Sequence, residues 1–292
     1  MDGALTRWWF APVPLRRIKV VRALVYLFLP IDMMLFTGGV WGHATSATAY
    51  QPVLVARLLH LPAASQPLVY TLFAVVVAAA LVGAAGKLPR LTGWVVALGY
   101  TEWAMLAMSY GKVDHDHLAL IVALFVLPTI GSSERAAGWA VRCVQIAVVC
   151  TYFLSALAKI RWGGFHVTSG VSALWEWPNG ATFQWAVSRR GTFFGHFIAG
   201  IPHALLIGQW VVLLAEFASP VLLFLRGRAL RLGVAFFAGF HLMTWALITI
   251  HFLPHVICLL GFFLVTVSGT SRTETGSAPL PGSPQVAHRA PS

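Results

Sequence analysis

Charged side chains are scarce in this sequence. Only 10% of its 292 residues are Asp, Glu, Lys or Arg, whereas 58% are hydrophobic and the mean hydropathy is +0.78. Because a soluble domain carries about 25% charged residues, the composition excludes an ordinary soluble protein and predicts a polytopic membrane protein. The length allows roughly eight spans joined by short loops, without a large soluble domain.

Cysteines and several enzyme motifs are also lacking. The three cysteines, Cys143, Cys150 and Cys258, all lie in apolar segments, where a thiol behaves as a small hydrophobic group. The sequence therefore offers neither a disulfide framework nor a zinc knuckle. It contains no GxSxG nucleophile elbow, no HExxH metal motif and no glycine-rich phosphate loop. No small-residue cleavage site follows the first apolar run, so we expect that run to stay as an anchor.

Apolar segments of spanning length predict an all-α integral membrane bundle of about eight transmembrane helices. We expect the spans at about 20–37, 67–85, 91–110, 118–130, 140–162, 203–225, 232–250 and 256–268. Residues 1–19 are basic and aromatic and resemble an interfacial segment, and residues 20–268 form the transmembrane domain. Residues 269–292 are rich in Ser, Pro, Thr and Gly and predict a disordered tail.

The basic residues are distributed unevenly around these spans. The net charge is +11, but the basic residues lie in loops rather than on one face, which indicates topology signals and not nucleic-acid binding. Most of them fall in the N-terminal segment, the tail and alternate loops. We therefore expect both termini in the cytoplasm and a multi-pass protein of the plasma or inner membrane. Of the eleven histidines, only His288 falls in a predicted inner segment, which favours an acid–base or ligand site that opens outward.

Lys159 lies on the last turn of the predicted fifth span. An amine at this position either extends to water or is held inside for a purpose. A simple interface anchor is one alternative, since a basic residue also suits the negative end of the helix dipole. The other is catalysis: desolvation disfavours the charged form, which would leave a neutral amine as a general base. His115 could then orient a substrate or share its proton.

Other polar residues have structural and functional interpretations. The DHDH segment at 114–117 could be a solvated turn whose Asp caps the fourth span. Four adjacent residues on a turn rarely face one ion, so we expect no metal. His241 could simply hydrogen-bond a neighbouring helix. Arg22 could pair with an acidic residue inside the membrane as structural glue. The spans carry three such acids: Asp32, Glu102 and Glu216.

Four segments, in order, carry a resemblance to a known family. They are VVRALVYLFLPIDM, DHDHLALIVALFVLPT, YFLSALAKIRW and FHLMTWALITIHFLPHVICLL. The chain resembles, over most of residues 15–268, the transmembrane part of vitamin K-dependent γ-glutamyl carboxylase and the wider bacterial horizontally transferred transmembrane (HTTM) family. The resemblance aligns His115 with a histidine that matters for catalysis there. It aligns Lys159 with the lysine to which deprotonation of vitamin K hydroquinone is attributed, and His241 with the family's Phe-His segment.

The chain also departs from the carboxylase. The first of two adjacent lysines is Ala158 here, and Ser155 and Ala156 replace an Ala-Gly pair. Arg161 replaces an acidic residue before Trp162. Only residues 269–292 follow the predicted eighth span in this sequence, so we expect no counterpart of the large lumenal domain, which binds propeptide and glutamate-rich substrate. The resemblance therefore supports the fold, the orientation and a quinol site more than it supports peptide carboxylation.

The resemblance implies an enzyme that oxidises or epoxidises a reduced naphthoquinone. The expected cofactor is reduced vitamin K or menaquinone with O2, and CO2 would serve a coupled carboxylation at the outer face. Lys159 would be the general base, assisted by His115, in an outward pocket between spans four, five and seven. The expected substrate-binding residues are Asp114, His117, Trp162 and His241. The alternative is a non-catalytic membrane partner that helps mature or export a secreted peptide or a redox protein.

Overall fold

The computed structural model describes residues 3–162 and 177–265, with Trp162 described by its backbone alone. The predicted disordered tail at 269–292 lies outside the described residues. Within the described ranges the chain is helical, without a β-strand. The α-helices there are α1 Ala4–Trp9, α2 Leu15–Ile31, α3 Gly39–His43, α4 Leu54–Leu58, α5 Gln66–Ala84, α6 Pro89–Met108, α7 Leu118–Val126, α8 Glu134–Trp162, α9 Ala181–Arg190, α10 Phe193–Ala199, α11 Ala204–Ala218, α12 Gly227–Ile248 and α13 Leu253–Leu260.

Short turns of other helix types lengthen four of these helices. A π-helical turn at Asp32–Phe36 continues α2, and another at Gly261–Val265 continues α13. The 3-10 turns Leu127–Thr129 and Ser219–Leu223 continue α7 and α11. Both 3-10 turns carry a proline at their start, and a proline disrupts the regular α-helix because it has no N–H and clashes with the preceding turn.

Four described helices are long and apolar enough to cross a membrane. They are Gln66–Ala84, Glu134–Arg161, Ala204–Leu223 and Gly227–Ile248. Two shorter apolar segments accompany them, His115–Thr129 and Leu253–Val265. Since roughly 20 helical residues cross the hydrocarbon layer, these lengths are those of a helical membrane protein, the class that the sequence predicted.

Several helices begin before the predicted apolar spans. α2 begins at Leu15, directly after Pro14, which has an extended ψ of 128° and whose carbonyl accepts a hydrogen bond of 2.9 Å from the Arg17 N–H. α8 begins at Glu134, where the Ser133 hydroxyl accepts a hydrogen bond of 3.2 Å from the Ala136 N–H. This is the capping interaction that satisfies a first-turn donor. Helix ends in this chain are therefore set by caps and prolines as well as by the limits of the apolar runs.

The core lies among α2, α5, α6, α7, α8 and α13 and contains large, fully buried aromatic side chains. Trp103, Tyr26, Tyr100 and Phe262 are each 0% exposed. Small residues allow close helix packing in a membrane. At Gly83 of α5, an added Cβ would lie only 2.7 Å from the Tyr26 ring, so α5 and α2 approach each other where α5 has no side chain.

A buried polar network stabilises the C-terminal end of α2 against α6. Asp32 accepts hydrogen bonds from the Tyr100 hydroxyl at 2.6 Å and from the Thr37 hydroxyl at 3.0 Å. The Trp103 indole N–H donates in turn to the Thr37 hydroxyl at 2.8 Å. Arg22 is not among the hydrogen-bond or ion-pair partners of this carboxylate within the described ranges, and its own Nε atom is buried there without a hydrogen-bond partner. The carboxylate is instead held by neutral donors and by a histidine.

Candidate functional site

A cavity of about 1060 Å³ lies beside the C-terminal half of α8. Helices α8, α9, α11 and α12 form its walls together with the segment 250–255 and His115. Apolar side chains make up most of the lining, among them Phe183, Leu205, Val212, Phe240 and Leu247. A largely apolar cavity with a few polar groups is typical of a small-molecule site.

α8 supplies four polar side chains to this cavity, and the first, Thr151, donates a hydrogen bond to the Ala147 carbonyl of its own helix. The other three are Tyr152, Ser155 and Lys159. Their spacing of three and four residues places them on the same side of an α-helix. The amine on the last turn and the phenol two turns earlier therefore face the same space.

Lys159 is held by a carboxylate inside the protein. Its Nζ forms an ion pair with Oε2 of Glu216 on α11 and donates a hydrogen bond of 3.1 Å to the Ser155 hydroxyl. The Lys159 side chain is 21% exposed and that of Glu216 only 6%. Nζ also lies 5.0 Å from the centre of the Trp177 ring, within the range of a cation–π contact. This geometry differs from that of an amine that simply reaches water.

A second polar group in the cavity consists of Tyr152 and two histidines. The Tyr152 hydroxyl lies 2.8 Å from Nε2 of His241, and its ring meets the His255 ring edge-on with the centroids 4.6 Å apart. Nδ1 of His241 and both ring nitrogens of His255 are buried and have no hydrogen-bond partner in the part of the chain that the structure describes. Buried polar atoms normally have partners, and both histidines line the cavity. These nitrogens therefore have hydrogen-bonding capacity that the described residues do not use.

His115 also lines the cavity. The centroid of its ring lies 6.0 Å from that of the Phe252 ring. Three of the residues that the sequence singled out, Lys159, His115 and His241, thus lie on one cavity. Lys159 comes from the C-terminal half of α8, His115 from the turn before α7, and His241 from α12.

Asp114 does not line this cavity, which differs from the expectation that it binds the substrate there. Its carboxylate pairs with the amine of Lys112 at 2.6 Å, and the Lys112 side chain is 81% exposed. The predicted contribution of Trp162 concerns a side chain that lies outside the described part of the structure. Asp114 therefore belongs to the loop surface and not to the cavity wall.

His117 is likewise absent from the cavity lining and contacts the buried network instead. Its Nε2 lies 3.1 Å from Oδ1 of Asp32, and its Nδ1 lies 3.0 Å from Oδ1 of Asp116. The segment His115–His117 is a 3-10 turn, in which successive side chains are rotated by about 120°, so neighbouring residues point apart. Asp116 and His117 are buried and α7 has no side-chain cap, which also differs from the interpretation of this segment as a solvated capping turn.

Sequence reasoning did not identify three further side chains of the site in their observed roles. Glu216 stood out only as an acid inside a span, and its pairing with Lys159 was not anticipated. Tyr152 was part of a motif but had no assigned role, although its spacing from Lys159 could have placed it on the same helix face. His255 falls within the fourth segment of the resemblance, where no role is assigned to it.

Among the described residues, no group of three or more His, Cys, Asp and Glu side chains is arranged to hold a metal ion. No family model, no curated protein and no solved structure matches the chain. The functional argument therefore depends on the cavity and on its polar groups.

Proposed function

We propose that this protein binds a reduced naphthoquinone in the large cavity and oxidises or epoxidises it, as the resemblance to vitamin K-dependent γ-glutamyl carboxylase and the HTTM family implies. The observation that carries the proposal is the Lys159–Glu216 ion pair, which lies on the wall of an apolar cavity of about 1060 Å³. Buried ionisable groups in a membrane protein are costly and mark functional sites by default.

The cavity suits the chemistry of such a ligand. A naphthohydroquinone has a flat aromatic ring, an apolar tail and two hydroxyl groups on opposite sides of the ring. The apolar walls suit the ring and the tail. The Lys159–Glu216 pair and the Tyr152–His241–His255 group provide two separate sets of polar atoms for the two oxygens.

The ion pair modifies the role that the sequence assigned to Lys159 alone. In the ion-paired state Glu216 Oε2 carries the negative charge and is the atom that can accept a proton. Lys159 Nζ keeps its protons and stabilises negative charge that develops beside it. Lys159 Nζ becomes the acceptor only when Glu216 already holds a proton, so the two residues act as one unit.

The quinol itself supplies two electrons and two protons to O2; in epoxide formation one oxygen atom enters the quinone and the other leaves as water. The chain contributes proton acceptance at the pair, and His115 and His241 orient the ligand by hydrogen bonds. The apolar walls exclude water from the reacting groups, which strengthens these electrostatic interactions.

The proposal includes the finer topology: eight spans, both termini in the cytoplasm and a site that faces outward from the plasma or inner membrane. Besides the four helices of clear spanning length, α6 has 20 residues. The turns that follow α2, α7 and α13 lengthen those helices. With the four helices of clear spanning length, these four make up the eight spans of the proposal.

The test separates binding from turnover. The purified protein in lipid nanodiscs is assayed for menaquinone binding by tryptophan quenching, and for oxygen-dependent epoxide formation from reduced menaquinone by chromatography. Lys159→Ala and Glu216→Gln are compared with Lys112→Ala, a lysine that lies on the surface. Loss of an acid–base group typically costs a factor of 10² to 10⁴, so we expect turnover to fall about 100-fold or more in the first two variants and to be unchanged in the third.

The possible outcomes are distinct. Binding without turnover in the wild type would support a quinone site and refute the catalytic part of the proposal. Neither binding nor turnover in a folded wild type would refute both. The alternative role as a membrane partner in maturation of a secreted peptide or redox protein would then be favoured.

A further inference from the structure

A second cavity, of about 600 Å³, lies at the opposite end of α8 from the first. It is formed by the beginning of α2, the turn between α5 and α6, and the turn between α7 and α8. α8 has 29 residues and rises about 1.5 Å per residue. The first cavity contacts the C-terminal half of α8 and the second lies just before its N-terminus, so the two sites are separated.

The charge in this second cavity is of one sign. Lys19, Arg22 and Arg90 line it, and no acidic residue is among the described residues that do so. Nε of Arg22 is buried and finds no hydrogen-bond partner in the described part of the chain. Three cations around one cavity, with no carboxylate among the described lining residues, repel one another, and an anion in the cavity would offset that repulsion.

The loops around the cavity allow the guanidinium groups to approach the backbone. Gly86 and Gly131 adopt φ values of +77° and +58°, in the left-handed region that favours glycine. A Cβ at Gly131 would lie 2.8 Å from a terminal nitrogen of Arg90. The absence of a side chain at Gly131 therefore leaves space for the Arg90 guanidinium.

The beginning of α6 adds backbone donors. This helix begins at Pro89 and has no side-chain cap, whereas Ser133 caps α8. The N–H groups of Arg90 and Leu91 have no acceptor within the helix, and both residues line the cavity. A helix N-terminus favours a negatively charged group.

We propose that this cavity binds the phosphate group of an anionic amphiphile. Arg22, Arg90 and Lys19 would contact the phosphate oxygens, with the free N–H groups of α6 as further donors. The same cavity has apolar lining residues that suit a glycerol and the upper part of acyl chains: Leu15, Ile18, Leu91, Leu127 and Ile130. Basic pockets between membrane helices recognise anionic lipid headgroups in this way.

Two sources share this chemistry, a phospholipid headgroup and a soluble phosphate ester. A simple role as interface anchors would account for the exposed Lys19 and Arg90. It does not account for a buried, unpartnered nitrogen of Arg22 beside a cavity without carboxylates. The proposal does not depend on the quinone site, because none of the residues is shared.

The experiment uses the full chain purified in detergent and analysed by native mass spectrometry and thermal unfolding. Phosphatidylglycerol, phosphatidylcholine or soluble glycerol 1-phosphate is added to wild type, Arg22→Gln and Arg90→Gln. Arg228→Gln is the control, since Arg228 is an exposed residue at the beginning of α12 that lines neither cavity. We expect phosphatidylglycerol to bind wild type and the control more tightly than phosphatidylcholine, and each of the other two variants to lose about fivefold in affinity.

Competition distinguishes the two sources. Displacement of phosphatidylglycerol by glycerol 1-phosphate would identify a soluble phosphate ester as a sufficient ligand, and retention of the lipid would identify the headgroup of a phospholipid. Equal binding of the two lipids by wild type would overturn the proposal, as would unchanged phosphatidylglycerol affinity in the variants. If Arg22→Gln does not fold, Arg90→Gln decides alone, because its side chain is exposed.

Discussion

The Lys159–Glu216 ion pair predicts a strong energetic coupling between α8 and α11. The perturbations are Lys159→Met, Glu216→Leu and the double variant, which replace charged groups by apolar side chains of similar size. Each single variant leaves one charge in a mostly buried position without its partner. The double variant leaves no charge at this position.

The magnitude follows from burial. Removal of one partner of a buried ion pair costs about 3–5 kcal/mol, whereas replacement of both by apolar groups is often neutral or stabilising. The Lys159 side chain is 21% exposed, so Glu216→Leu, which leaves a partly solvated amine, should cost about 3 kcal/mol. Lys159→Met leaves Glu216, 6% exposed, and should cost more. The double variant should lie within about 1 kcal/mol of the wild type.

The assay is reversible unfolding in mixed detergent micelles, followed by circular dichroism as the fraction of dodecyl sulfate increases. The matched control is the pair Lys112–Asp114, in which the lysine side chain is 81% exposed. A surface pair contributes about 0–1 kcal/mol. The same cycle made with Lys112→Met and Asp114→Leu should therefore show little coupling.

Additive losses in the first cycle would refute this reasoning. If the double variant were destabilised by the sum of the two single losses, the two side chains would not interact in the folded protein. The proton-accepting unit proposed above would then also be wrong. A coupling as small in the buried pair as in the surface control would lead to the same conclusion.

Two further predictions concern packing and buried hydrogen bonds. Tyr100→Phe removes the hydroxyl that lies 2.6 Å from the Asp32 carboxylate, and we expect a loss of about 1.5–3 kcal/mol in unfolding free energy, measured by the same micelle assay. An unchanged stability would mean that this carboxylate does not depend on the phenol. Gly138→Ala places a Cβ only 1.9 Å from the carbonyl oxygen of Ala11, so the N-terminal segment must move away from α8. We therefore expect limited proteolysis to cleave the segment that precedes α2 faster than in the wild type. Gly239→Ala is the matched control, because its Cβ meets nothing within 4 Å, and its proteolysis rate should equal that of the wild type.

The helical class could be predicted because it depends on local properties of the sequence. Long apolar runs leave a membrane chain with few solutions other than helices. The exact ends could not be predicted in the same way. They depend on single residues such as Pro14 and Ser133, which extend α2 and α8 beyond the apolar runs.

The residues of the site could be predicted only in part, because depth in the membrane is readable from sequence and the direction of a side chain is not. Lys159 and His115 were singled out by position, and both line one cavity. His117, two residues from His115, points into the core, because a 3-10 turn rotates each successive side chain. A prediction that treats neighbours in a short motif as one unit fails at such a turn.

The pairing of buried charges shows the same limit and explains why Arg22 is unusual. The sequence made Arg22 a possible partner for any of three acids in the spans, Asp32, Glu102 or Glu216. In the fold, Asp32 is satisfied by Tyr100, Thr37 and His117. Because neighbouring helices meet this demand, the guanidinium is left beside a cavity that already holds two other cations. Three cations line this cavity, and one of them has a guanidinium nitrogen that the described residues leave unpaired. In a chain with so few charges, this arrangement favours a ligand of opposite sign.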